Sequence, residues 1–205
     1  MRLRFATLAF VAALAGIISG ERANSFTLDY SRGVNRGLER IRFITPVLAP
    51  FAHARFCLQY PDDCKVHHVI FRGGKLAMTA QRRTDLATVN AEVNRSIRPE
   101  PNLDGVVGEK WLISPESGDC NDYAVTKRHE LIARGWPARS LLLAEVILPS
   151  REHHLVVVVR AREGDLVIDN LSADIRPWFS TPYRWVRIQS PTNPNYWSTM
   201  GRASA

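Results

Sequence analysis

Long runs of one charge are missing from this chain. Its 205 residues carry a formal charge of +7, yet no block of consecutive lysines and arginines occurs. Scattered basic residues lack the clustered footprint of a nucleic-acid binder, so nucleic acid is not an expected partner, although a positive balance still suits an anionic one. No internal repeat and no low-complexity linker breaks the sequence, which points to a single domain. The apolar tracts are too short for an integral membrane protein with several spans. Cysteine is scarce, at three residues. What remains is the composition of an ordinary folded protein, 45% hydrophobic and 23% charged, over a length sufficient for one domain with its own core.

The N-terminus differs from the rest. Arg2 and Arg4 precede an almost unbroken apolar run from Phe5 to Ile18, followed by the small residues Ser19 and Gly20. Positive, apolar, then small is the layout of a secretory signal peptide, and the run is shorter than the ~20 residues a membrane anchor needs. The chain is therefore expected to lose residues 1–20, with the cut near Gly20 or Ala23. It should then act in the periplasm or outside the cell as one domain over residues 24–205.

Export sets the reading of the cysteines. Cys57 and Cys64 flank Pro61 in a short segment, and a near pair in an oxidising compartment is most simply a disulfide. The alternative is a metal site completed by His67 and His68. Cys120 is then the odd thiol, which in an exported protein is either reactive or an intermolecular link.

Leu86, Val89, Val93 and Ile97 fall at helical spacing, so a helix is expected over 84–97, stopped by Pro99. The stretches 46–53, 99–108 and 111–118 and the tail beyond Ser190 read as loops. A second helix is expected over 120–134, with Asp119 as N-cap, Gly135 as C′ residue and a buried stripe of Tyr123, Ala124, Lys127, Leu131 and Ile132. Segments 140–148, 154–162, 165–169 and 183–189 are rich in Leu, Val and Ile and read as strands, with a tight hairpin at Glu163-Gly164-Asp165. Helices followed by an antiparallel sheet make an α+β fold.

The order of three residues suggests chemistry. Cys120 opens a helix, where backbone N–H groups favour a thiolate. His153 and His154 open a strand and can supply an imidazole base. Asp169 ends the next strand, where it can fix the imidazole tautomer. Each alone has a bland explanation: a buried small hydrophobe, a structural histidine, a turn former. The ordered set fits a Cys-His-Asp hydrolase or acyl transferase.

These residues resemble a known family. Trp111-Leu112-Ile113-Ser114-Pro115, Gly118-Asp119-Cys120-Asn121-Asp122-Tyr123-Ala124, the run from His154 to Arg160, Ile168-Asp169-Asn170-Leu171, Trp178, Tyr183, Arg187-Ile188-Gln189-Ser190 and Trp197 look like the bacterial transglutaminase-like cysteine proteinases. The resemblance implies a papain-like, transglutaminase-type core with Cys120, His154 and Asp169 as the triad. Counting back from Arg160 selects His154 over His153. The implied activity is cleavage of a peptide bond in a periplasmic or surface protein. A transamidase or amidase using the same triad, and an inactive envelope-binding module, are the alternatives.

Some members of that family are calcium-dependent, with acidic residues beside the nucleophile. Asp119 and Asp122 match that pattern, whereas Asn121 stands where those members carry a glutamate. No cofactor is thus required by this reading, and calcium is admitted with Asp119 and Asp122 as its ligands. Both acids are equally explained as an N-cap and a first-turn carboxylate. The backbone N–H of Cys120 is the natural oxyanion donor. Trp111 is a candidate second donor, with packing under the loop as its alternative role.

Overall fold

The computed structural model describes residues 40–66 and 75–201. The expected signal over residues 1–20, the start of the expected domain at residue 24, and His67 and His68 lie outside the described residues. In chain order the elements are β1 (Arg42–Val47), α1 (Phe51–Gln59), a 3-10 turn (Pro61–Cys64), α2 (Ala80–Ser96), β2 (Arg98–Pro99), α3 (Gly105–Gly108), β3 (Ser117–Gly118), α4 (Cys120–Ala133), a second 3-10 turn (Ala138–Ser140), β4 (Leu141–Ile147), β5 (His153–Ala161), β6 (Gly164–Ile168), β7 (Arg176–Pro177), a third 3-10 turn (Trp178–Ser180), β8 (Arg184–Gln189) and β9 (Trp197–Gly201).

Seven strands form one sheet in the order β1-β9-β8-β4-β5-β6-β7, and every neighbouring pair is antiparallel. The central strands β4 and β5 read as continuous apolar runs because both of their faces are covered. Leu141, Leu143, Leu155, Val157 and Val159 pack with residues of α1, α2 and α4 on one face. Leu142, Ala144, Val146, Val156 and Val158 pack on the other with Trp178 and the partly buried Tyr183 and Trp185. Each fully buried Leu or Val contributes about 1.5–3 kcal/mol of transfer free energy, so these two strands anchor whatever they carry. The mixed helix and antiparallel-sheet architecture is the α+β fold read from the sequence.

Helix α4 starts and stops as its sequence dictates. Asp119 caps it by accepting the Asn121 N–H, while the Asp122 carboxylate reaches back to the Asp119 N–H, closing a capping box. Gly135, at φ +82°, ends it in a left-handed conformation that costs glycine little. Helix α2 begins at Ala80, four residues earlier than the apolar spacing suggested, because Thr79 caps it by accepting the Arg82 N–H. The β5–β6 hairpin pairs Ala161 with Gly164, leaving Arg162 and Glu163 as its turn.

Three segments read as loops are ordered. The stretch 46–53 contains the end of β1 and the start of α1, with Pro50 at the N-cap position, where a missing N–H costs nothing. The tail beyond Ser190 contains β9, which pairs with both β8 and β1. The loop 99–108 ends in the single turn α3. β1 lies at the sheet edge, and Pro46 is tolerated there because an edge strand need not donate on its outer side.

The Cys57–Cys64 disulfide is present, joining α1 to the following 3-10 turn with Cα atoms 5.4 Å apart. Among the described residues no helix is long and apolar enough to cross a membrane.

Candidate active site

Cys120 is the first residue of α4, partly buried, with a free thiol. It lines a cleft of about 450 Å³ together with His153 and His154 from β5. Gly118 lets the chain approach closely here: a Cβ on it would stand 2.2 Å from the Asp122 carboxylate. The capping box therefore fixes the backbone that presents the thiol.

His154 is buried, and its Nε2 lies 2.8 Å from Oδ1 of Asp169. Asp169 is likewise buried, just past the end of β6. Its Oδ2 accepts the Tyr183 hydroxyl, its Oδ1 also accepts the Leu171 N–H at 3.1 Å, and its backbone oxygen is held by Asn94 of α2 at 3.1 Å. Burial alone would raise this carboxyl, but the bonds from His154, Tyr183 and Leu171 outweigh it and hold Asp169 below the usual carboxylate range. Burial and the Asp169 carboxylate push the Tyr183 phenol up, so that hydroxyl stays a donor. The Tyr183 ring also meets the His154 imidazole edge-on at 6.0 Å.

The two adjacent histidines separate cleanly. His153 is exposed and pairs with Glu145 rather than Asp169. Glu145 also accepts from Nε of Arg187. The buried, carboxylate-backed imidazole is therefore that of His154.

The thiol is not depressed as a helix N-terminus alone would have it. Burial pushes Cys120 up to about 12, and the charges of Asp119, Glu109 and Asp169 add to the effect against an opposing N–H from Leu155. Sequence reasoning counted the helix dipole but missed Glu109, which belongs to no motif and reaches the cleft from the loop after α3. Burial also raises Glu109, with help from the charges of Asp119 and Glu145.

Asn121 sits between two of these acids. Its amide Nδ2 donates to Oε1 of Glu109 and, at 3.2 Å, to Oδ2 of Asp119. Asp122 is committed on both oxygens, to the Leu112 N–H at 2.7 Å and the Asp119 N–H at 3.0 Å. Burial nevertheless raises it to about 6. Among the described residues, the one trio of His, Cys, Asp or Glu whose ligand atoms converge is His53 with Cys57 and Cys64, and both of those sulfurs are spent in the disulfide. Trp111 donates its indole N–H to Glu109 at 3.2 Å and is buried against His53 and Phe56. Its indole N–H is thus directed at the Glu109 carboxylate.

A thiol at a capped helix start, sharing a cleft with an acid-backed imidazole on an antiparallel sheet, defines a cysteine peptidase of transglutaminase-like fold. Residues 44–205 match the profile of the bacterial transglutaminase-like cysteine proteinases, and the chain belongs to that family. Comparison with curated proteins gives no match. Among solved structures, calcium-bound LapG of Legionella pneumophila is similar at a TM-score of 0.50 and 21% identity, over 60% of this chain and 72% of that one. EGTA-treated LapG from the same organism gives 0.48 and 22%, over 59% and 72%. The likeness to the calcium-bound form is one of fold.

Proposed function

We propose that this cysteine peptidase is exported and cuts a peptide bond in a periplasmic or surface protein, using Cys120 as nucleophile, His154 as general base and Asp169 to orient it. The supporting observation is the His154–Asp169 pair, whose imidazole lines the same cleft as the thiol. A carboxylate only accepts hydrogen bonds, so Nε2 carries the proton toward Asp169 and Nδ1 is left for the thiol. The Cys120 proton passes to His154 as sulfur attacks the carbonyl carbon. With a thiol held near 12, this transfer accompanies attack rather than preceding it. The oxyanion is met by the Cys120 backbone N–H, unpaired in the first helical turn. His154 then returns the proton to the leaving amine, and water hydrolyses the thioester.

The residues beside the nucleophile do not make a calcium set. Calcium takes six to eight oxygens. Asp122 has both of its oxygens on backbone N–H groups, and the Asn121 amide presents its donor side to Glu109 and Asp119. That amide bridges the paired acids with its donor side, and we propose that calcium is not required. Export itself rests on the expected signal over residues 1–20.

The test is turnover of a peptide library by the purified mature protein and by Cys120→Ala and His154→Ala. Both variants should fold and lose turnover. Undiminished cleavage by folded Cys120→Ala would sink the assignment. Product masses with and without an added amine separate hydrolysis from transamidation.

A further inference from the structure

Asp169 stands one residue beyond Ile168, the last residue of β6 to pair with β5. The bonds from His154 Nε2 at 2.8 Å and from the Leu171 N–H at 3.1 Å both end on Oδ1. The terminal torsion of an aspartate is broad, so bonds to one oxygen leave the carboxylate plane free to turn about it. The other oxygen, Oδ2, accepts the Tyr183 hydroxyl. A carboxylate held at both oxygens keeps one orientation.

Tyr183 reaches this point from the face of the sheet opposite α4. It lies between the 3-10 turn Trp178–Ser180 and β8, and packs against the cluster that contains Trp178, Val146 and Val156. The Thr181 hydroxyl and N–H close that turn by donating to the Trp178 carbonyl at 2.8 and 3.4 Å. The Tyr183 ring meets the His154 imidazole edge-on at 6.0 Å, so one side chain engages both members of the pair. Packing alone would be served by a phenylalanine, and a partly buried tyrosine can leave its polar tip in water. Here the hydroxyl goes instead to a carboxylate whose side chain is 4% exposed. Burial and the Asp169 carboxylate push the phenol up, which keeps that hydroxyl a donor.

We infer, resting on the triad assignment above, that Tyr183 is a positioning residue: its hydroxyl fixes the plane of the Asp169 carboxylate, and through it the His154 imidazole keeps one orientation in the cleft it shares with Cys120. The grip on Asp169 comes from both layers. Asn94 of α2 holds its backbone oxygen at 3.1 Å from the helical side, and Tyr183 holds its side chain from the other. Acting through the pair rather than on the substrate, Tyr183 affects kcat and leaves KM alone.

The test is Tyr183→Phe, which removes one oxygen and keeps the ring. In active enzyme kcat should fall about fivefold or more with KM within about twofold, and circular dichroism checks the fold. The same substitution is then made in Asp169→Ala. A residue that acts through Asp169 should cost less than about twofold there. A smaller loss in the active enzyme, or an equal loss in both backgrounds, overturns the inference, the second being the mark of a packing defect. A separate arm uses Cys120→Ala protein and follows the His154 Nε2 proton, in its bond to Asp169, by NMR. Its exchange with solvent should speed up about fivefold or more when Tyr183→Phe is added, because a turning carboxylate holds it less well. A smaller change overturns the inference equally. The exchange arm needs no catalysis, so failure here is distinct from failure of the peptidase assignment.

Discussion

His154 and Asp169 stand with Nε2 2.8 Å from Oδ1, each side chain 4% exposed. That bond fixes which imidazole nitrogen is left for Cys120, because the carboxylate can only accept. Asp169→Asn keeps the shape and reverses the logic, since an amide can donate to Nε2 and so stabilise the wrong tautomer. It should lower kcat by about 10²–10⁴-fold with little change in KM. Steady-state kinetics on a cleaved peptide, with circular dichroism to confirm folding, read the outcome. A loss below about tenfold would remove Asp169 from the mechanism.

The raised thiol of Cys120 gives a second expectation. Burial and the charge of Asp119 are the leading causes, in that order, so Asp119→Asn removes a negative charge while leaving a residue that still caps α4. Thiolate becomes easier to form and the pKa falls. The rate of alkylation by iodoacetamide in wild-type protein should keep climbing with pH to at least 10. In Asp119→Asn the climb should begin at lower pH. Identical profiles would mean that Asp119 does not set the thiol.

How far the sequence reached follows from the range of each interaction. The cap at Asp119, the stop at Gly135 and the β5–β6 hairpin are local, and each was legible in a few residues. β1 and β9 were not, because their partners are Arg42 with Gly201 and Val47 with Trp197, and no short-range pattern marks such a pairing. Glu109 was missed for the same reason: it meets Asn121 and Trp111 only once the loops close. Lys127 was visible as a charge within an apolar stripe, but its near-complete burial needed the fold.

The amide of Asn121 between Glu109 and Asp119 predicts indifference to calcium. Thermal midpoint and kcat/KM should be unchanged by chelator or by millimolar calcium. Asn121→Glu replaces the bridging donor with a third carboxylate, which should raise the Cys120 thiol further and slow turnover. Added calcium should then restore part of the loss by neutralising the acids. A wild-type enzyme silenced by chelator would refute this account of Asn121.

The disulfide makes a separate prediction. Cys57 and Cys64 close a short loop whose chain-entropy contribution is about 2–3 kcal/mol. The adjoining Asp63 is tied to α4 through its backbone oxygen to Arg128 at 2.7 Å and its carboxylate to His129 at 2.9 Å. Reduction should therefore loosen α1, which supplies Phe51 to the cleft wall, without unfolding α4. Urea denaturation with and without reductant measures the loss. Mass mapping without reductant should show Cys57 joined to Cys64 and Cys120 free.

Lys127 also has a signature in stability. Its pKa falls from 10.5 unfolded to about 7 folded, with burial as the leading cause. Between those values the unfolded chain binds more protons at this site than the folded one, so stability rises with pH across that window. Below about pH 7 both states are protonated and the cost of the buried charge is present in full; above about 10.5 it is gone. Lys127→Met lacks the term at every pH. It should be more stable than wild type by a few kcal/mol near pH 7, and the gap should narrow steadily toward pH 10. Denaturant midpoints for the two proteins from pH 6 to 10 test this directly. Parallel curves would show that Lys127 reaches solvent in the folded protein.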